Sequence, residues 1–279
     1  MNLYYAIPLF IVSSFSFASA TQILNTHIYH YDIFSEAEDL GDISVKVVNH
    51  ADGSYIIAES TVIETAGFWG DTNLSSTQVE TYSPEGKLLN ADVKTLHGEV
   101  AHWRKAELSG DELWASYTQV QNVTEKEEEQ LIGVALTIAT NTVPGLGDAL
   151  GIAQLLFSDE KPHPNNIRFS KNTYDTSFSN LPFYWSSKQN SLPTKLNLFN
   201  SEKLAVNTFQ VEFLGKKIIQ LETKDNLVTT SHYKLHDPEG QRLEVWLATS
   251  EFNSPYFYQL VGTDDDGPFH ILFKKHAQE

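Results

Sequence analysis

From His27 onward, apolar and polar residues alternate with a period of two, in short runs separated by Gly- and Pro-containing turns. That period sends successive side chains to opposite faces of an extended chain, so the runs predict antiparallel strands with one buried face. Residues 28–34 and 43–48 make a first pair around Gly41, and Asp52-Gly53 turns the chain into a strand over 55–63. Strands over 78–82 and 88–96 flank Ser83-Pro84-Glu85-Gly86, where Pro suits the first central turn position and Gly tolerates the positive φ that closes it. Ser109-Gly110 joins 100–108 to 113–120. Strands return at 194–199 after a polar linker, then at 204–213, with a Gly-containing turn over 214–217 leading into 218–223. Further strands cover 227–235 and, after Asp237-Pro238-Glu239-Gly240, 242–248. A last hairpin joins 256–262 to 269–274 through Asp264-Asp265-Asp266-Gly267. The pattern predicts a mostly β chain of about twelve strands, roughly half on each side of an interruption.

The interruption, residues 131–157, reads LIGVALTIATNTVPGLGDALGIAQLLF, and Asp148 is its one charge. Thr124-Glu125-Lys126-Glu127 ahead of it is a capping box, with acidic residues crowding the positive end of a helix dipole. A helix is expected to about Asn141; Pro144-Gly145 breaks it, and a second short helix covers 148–157. Helices that are apolar all round are buried, so the insert 124–158 is expected as a helical hairpin covering the concave face of a strongly curved antiparallel sheet, a half-barrel. It could serve there as a fixed plug or as a lid over a lipid-like ligand. Its ligand-facing residues would then be Leu131, Val134, Leu136, Ile138, Leu150, Ile152, Leu155 and Phe157. A membrane element is the third reading, disfavoured because each arm is shorter than the roughly 20 residues a span needs and Asp148 would be costly there.

Residues 1–20 read as a secretory signal, with an apolar stretch at 9–12 and 15–17 and the small-x-small site Ala18-Ser19-Ala20 before Thr21. Its first residues, MNLYY, carry no Lys or Arg, and a retained anchor is the alternative. Cleavage after Ala20 predicts a periplasmic or secreted protein with a single domain over 21–279. The net charge of −17 argues against nucleic acid, which demands a basic footprint, and against an anionic membrane surface. It leaves room for a different class of function, an acidic protein-binding module such as an envelope inhibitor or immunity protein. Without cysteine there are no disulfides, thiolate metal sites or Cys nucleophile.

The segment Ser231-His232-Tyr233-Lys234-Leu235, Arg242-Leu243-Glu244-Val245-Trp246-Leu247, Phe257-Tyr258-Gln259-Leu260 and Asp266-Gly267-Pro268-Phe269-His270-Ile271 resembles the closing strands of exported bacterial families of unknown function with a LolA/LolB-like half-barrel. The opening, Tyr29-His30-Tyr31-Asp32-Ile33 with Gly41-Asp42-Ile43, is similar to their usual start. The resemblance covers about half of the chain and rests on turn-and-strand grammar. It implies a curved sheet whose concave side is covered by helices, where lipoprotein carriers of that fold hold acyl chains. It brings no catalytic residues with it.

Motifs that carry chemistry are scarce. His27 and His30 fall on opposite strand faces, and His232 and His236 share a face roughly 13 Å apart, too far to share an ion. Asp264-Asp265-Asp266-Gly267 lacks the spacing of a calcium loop and suits a hairpin turn, although calcium binding there stays open. There is no nucleophile elbow and no phosphate-cradling loop. The sequence therefore predicts a binding protein without metal or cofactor rather than an enzyme, for a hydrophobic small molecule or lipid or for a protein partner. Trp69, between Gly67 and Gly70, and Trp246 are the candidate contact residues.

Overall fold

The structure, a computed structural model, describes residues 22–35, 38–67, 70–121, 167–220, 227–238, 242–250, 253–264 and 267–278. The first half holds β1 (Ile23–Ser35), β2 (Glu38–His50), β3 (Tyr55–Gly67), β4 (Gly70–Tyr82), β5 (Leu88–His97), β6 (Val100–Ser109) and β7 (Glu112–Gln121). The second half holds β8 (Ile167–Ser170), β9 (Thr176–Ser177), α1 (Leu181–Ser187), β10 (Lys195–Asn200), β11 (Ala205–Gln220), β12 (Leu227–His236), β13 (Arg242–Thr249), β14 (Pro255–Asp264) and β15 (Gly267–Gln278).

All fifteen strands belong to one large curved sheet. Strands adjacent in space are adjacent in sequence, save that β1 pairs with β15, and β8 and β9 are left as the edges. Every described pairing is antiparallel except β9 with β10. The turns behave as their residues dictate: the Gly86 N–H donates to the Ser83 carbonyl at 2.9 Å, and Gly86 takes a φ of +78°.

The sheet curls until its edges lie together. Phe169 of β8 meets Phe199 of β10 edge-on, with ring centroids 5.5 Å apart. The in-phase residues point inward. On one side Tyr29, Tyr31, Ile43, Val47, Tyr55 and Ile57 form a buried cluster. On the other, Leu196, Leu198, Leu235, Val245 and Leu247 pack on Leu181 and Trp185 of α1. Ala91, Ala106 and Ala115 stand in register across β5, β6 and β7, so small side chains occupy a stretch where curvature crowds the inner face.

Fifteen strands replace the expected twelve, for reasons visible in the chain. The presumed polar linker contains β8, β9 and α1. β8 is an exposed edge with a largely solvent-facing pattern, β9 is two residues long, and α1 is too short to show a 3.6-residue period. The expected turn over 214–217 is a bulge. β11 runs through it unbroken, its register with β12 shifts between Phe213 and Gly215, and Gly215 absorbs the kink with a φ of +132°. The polar tail continues β15 as far as Gln278, opposite His27. The insert 124–158, with its two expected helices, lies outside the described residues. α1 is the helix described here, and among the described residues no helix is long and apolar enough to cross a membrane.

Candidate functional site

The curled sheet holds a partly open cavity of about 200 Å³. One wall comes from Tyr29 and Tyr31 of β1, Ile43, Val45 and Val47 of β2, and Ile57 of β3. The opposite wall comes from Tyr256, Phe257 and Leu260 of β14 and Ile271 of β15. Phe178, Pro182 and Phe183, on α1 and the turn before it, close one side, and Phe199 closes another. Register explains the lining: Tyr31 faces Ile43, Val45 faces Glu59, and Glu59 faces Gln78, so one pleat face of four consecutive strands is presented inward.

α1 is held in place by its own cap residue. Asn180, at the N-terminus of α1, makes no side-chain cap. Its amide oxygen instead accepts from the Tyr55 hydroxyl at 2.8 Å, and its amide nitrogen donates to the Thr176 hydroxyl at 2.9 Å. Tyr55 then stacks between Tyr82 and Phe183, at centroid distances of 4.9 and 5.1 Å. The helix is thereby tied to β3 and to the hairpin of β4 and β5.

Two carboxyl groups rise from the inner face beside these rings. Glu80 is fully buried and accepts from the hydroxyls of Tyr82, Ser177 and Ser201, the Ser177 bond being 2.7 Å. Burial pushes its carboxyl above the ordinary carboxylate range, and these hydrogen bonds oppose that shift. Burial and the neighbouring Glu80 likewise raise the Tyr82 phenol well above its usual value.

Glu59 differs from Glu80. It is half-buried, its surface opens on the cavity, and the Thr61 hydroxyl reaches it at 3.4 Å, a long hydrogen bond. Burial first, then the charges of Glu202 and Glu80, push its carboxyl up to about 7. Among the described residues lining the cavity there is no Lys, Arg or His. The remaining polar lining comes from Gln78, Ser179, Asn200, Ser201 and Glu202, and the Gln78 amide donates to the Ser179 hydroxyl at 2.7 Å.

A larger groove of about 830 Å³ lies beside α1, formed by turn and loop residues that include Pro84, Glu85, Lys171 and Asn172 together with Tyr184 and Ser186 of the helix. Phe183 and Pro255 line both spaces, so this pair stands between groove and cavity. The smaller space is the better candidate for a ligand site despite its volume. It is apolar, walled by buried aromatic rings, and carries a few convergent polar groups, one with a strongly perturbed carboxyl.

The residues expected from the sequence fall largely elsewhere. Leu131, Val134, Leu136, Ile138, Leu150, Ile152, Leu155, Phe157 and Trp69 lie outside the described residues. Trp246 does not line the cavity; it stacks on His232 with centroids 3.9 Å apart, and His232 is bonded to Glu244 at 2.9 Å. That arrangement is a cross-strand pair. His30 is bonded to Ser44 at 2.9 Å, and no group of three metal-ligating side chains is assembled among the described residues. Asp264 pairs with Gly267 at the hairpin end, and 265–266 lie outside the described residues. The functional candidates missed from sequence are Glu59, Glu80 and the Phe178–Phe183 stretch. The signal for the first two was present: each carboxylate keeps phase with an apolar face, Glu59 with Tyr55 and Ile57, Glu80 with Tyr82.

No family model matches the chain, and no curated protein matches it. Among solved structures, the fold is similar to the crystal structure of a β-barrel-like protein of the domain of unknown function DUF1849 from Brucella abortus, with a TM-score of 0.56. That similarity covers 93% of this chain and 99% of the other, at 9% sequence identity. At that identity it establishes a barrel-like fold and nothing about activity.

Proposed function

We propose that this protein binds or carries a small hydrophobic ligand inside its curled sheet, outside the cytoplasm, in the manner of LolA/LolB-like half-barrels. The observation that carries the reading is the cavity: a partly open space walled mainly by aromatic and aliphatic side chains of the buried clusters, with a few polar groups along it. An apolar cavity of roughly 150 Å³ accepts a benzene ring, so about 200 Å³ suits one ring with a short appendage or the end of an acyl chain. The apolar sequence of 124–158 would suit a cover for a longer ligand, and the signal-like sequence of residues 1–20 supports export.

The reading is tested by titrating the intact protein with an uncharged naphthylamine dye, and by native mass spectrometry of protein purified without detergent. A single saturable site is expected. Val45→Trp, which fills the cavity from β2, should abolish binding while the far-ultraviolet circular dichroism spectrum stays unchanged. Absence of dye binding together with ligand-free spectra, or binding indifferent to Val45→Trp in a folded variant, overturns the proposal.

A further inference from the structure

The chemistry of the cavity narrows the ligand class. We propose that the ligand is an amphiphilic organic cation, an aryl- or alkylammonium, whose apolar part lies among the aromatic walls and whose nitrogen sits at Glu59. This inference rests on the cavity being the ligand site.

Three features converge on it. First, an anionic head group such as a fatty-acid carboxylate would meet Glu59 and Glu202 with no basic side chain among the described lining residues to pair with it. Like charges in a poorly solvated space repel strongly, so the site selects against anions. Second, of the two lining carboxylates Glu202 is exposed to solvent, whereas Glu59 is half-buried and has acceptor capacity to spare. A carboxylate offers about four lone-pair positions; the three hydroxyls on Glu80 occupy most of its set, whereas Glu59 has one long bond to Thr61. A primary ammonium carries three donors and no acceptor, which is the complement of that unused capacity. Third, the walls nearby are aromatic: Tyr29 and Tyr31 on β1, Tyr256 on β14, and Phe199 on β10. Tyr29 and Tyr256 stack on each other at 5.2 Å, and both line the cavity. Aromatic faces attract cations through their quadrupoles, and a carboxylate beside such rings is a recurrent arrangement for ammonium recognition.

Calorimetric titration of the full chain at about pH 8 with three molecules of one skeleton separates the outcomes: 2-phenylethylammonium, 2-phenylethanol and phenylacetate. The expected result is one site, with the ammonium bound about tenfold tighter than the alcohol and phenylacetate bound weakest. In Glu59→Gln, whose fold is checked by circular dichroism, the ammonium should fall to within about threefold of the alcohol. If the alcohol binds wild type as tightly as the ammonium, or phenylacetate binds best, the cation assignment is wrong while the cavity remains a hydrophobic-ligand site. An ammonium preference that survives Glu59→Gln overturns the role of Glu59. If none of the three binds, the ligand-site reading fails and the inference with it.

Discussion

Replacing Glu59 by Gln should stabilise the protein at alkaline pH and leave it unchanged in acid. Glutamine is nearly isosteric and keeps an acceptor for the Thr61 hydroxyl, but it cannot ionise. In the folded protein the Glu59 carboxyl titrates at about 7 instead of its ordinary 4.5, chiefly because burial disfavours the charged form. Between those two values the folded state holds more protons than the unfolded state, so wild-type stability falls as pH rises through this window and stays low above it. At roughly 1.4 kcal/mol per pH unit, the interval from 4.5 to about 7 is worth about 3 kcal/mol. Glu59 keeps some surface on the cavity, and solvent there screens the charge, so about 2 kcal/mol is the expected difference. Glu80, whose carboxyl is also raised, is common to both proteins and cancels except for its repulsion of Glu59, which the substitution removes in the same direction. Urea unfolding of both proteins at about pH 4 and about pH 8 measures the effect. The variant should match wild type within roughly 0.5 kcal/mol in acid and exceed it by about 2 kcal/mol at the higher pH. An equal difference at both pH values, or a less stable variant at about pH 8, would refute the assignment of Glu59 as a carboxylate ionised at a cost to stability.

Three further outcomes follow from the same geometry. Glu80→Ala should destabilise by about 3–5 kcal/mol in urea unfolding, since it strands the hydroxyls of Tyr82, Ser177 and Ser201 in the core; Glu80→Gln should lose less than half as much. Gly41→Ala should cost at least about 2 kcal/mol by thermal unfolding, because Gly41 holds a φ of +148° and an added Cβ would lie 2.0 Å from the Val62 carbonyl oxygen. Phe183→Ala should raise the stopped-flow association rate of an uncharged dye at least about threefold, by removing the ring between groove and cavity. An unchanged rate in a folded Phe183→Ala variant would mean that the ligand enters elsewhere.

The legible parts of this protein were those decided within a few residues. Alternation with a period of two placed most strands, and Ser83-Pro84-Glu85-Gly86 placed the turn between β4 and β5, because φ preferences and side-chain direction are local properties. Tertiary structure decided the rest. A Gly turn and a Gly bulge share the same local requirement, a positive φ, and Gly215 became a bulge because β12 pairs with β11 on both sides of it. β8, β9 and α1 are too short to be stable alone; they exist because β7, β10 and Tyr55 of β3 supply their partners. Glu59 and Glu80 follow the same division. Sequence phase set both on an apolar face, but β9 and the Ser201 turn gave Glu80 its hydroxyls, and the curl of the sheet left Glu59 facing a cavity with an unused acceptor. Backbone preference is written residue by residue, whereas the environment of a buried charge depends on which distant segments the curled sheet brings against it.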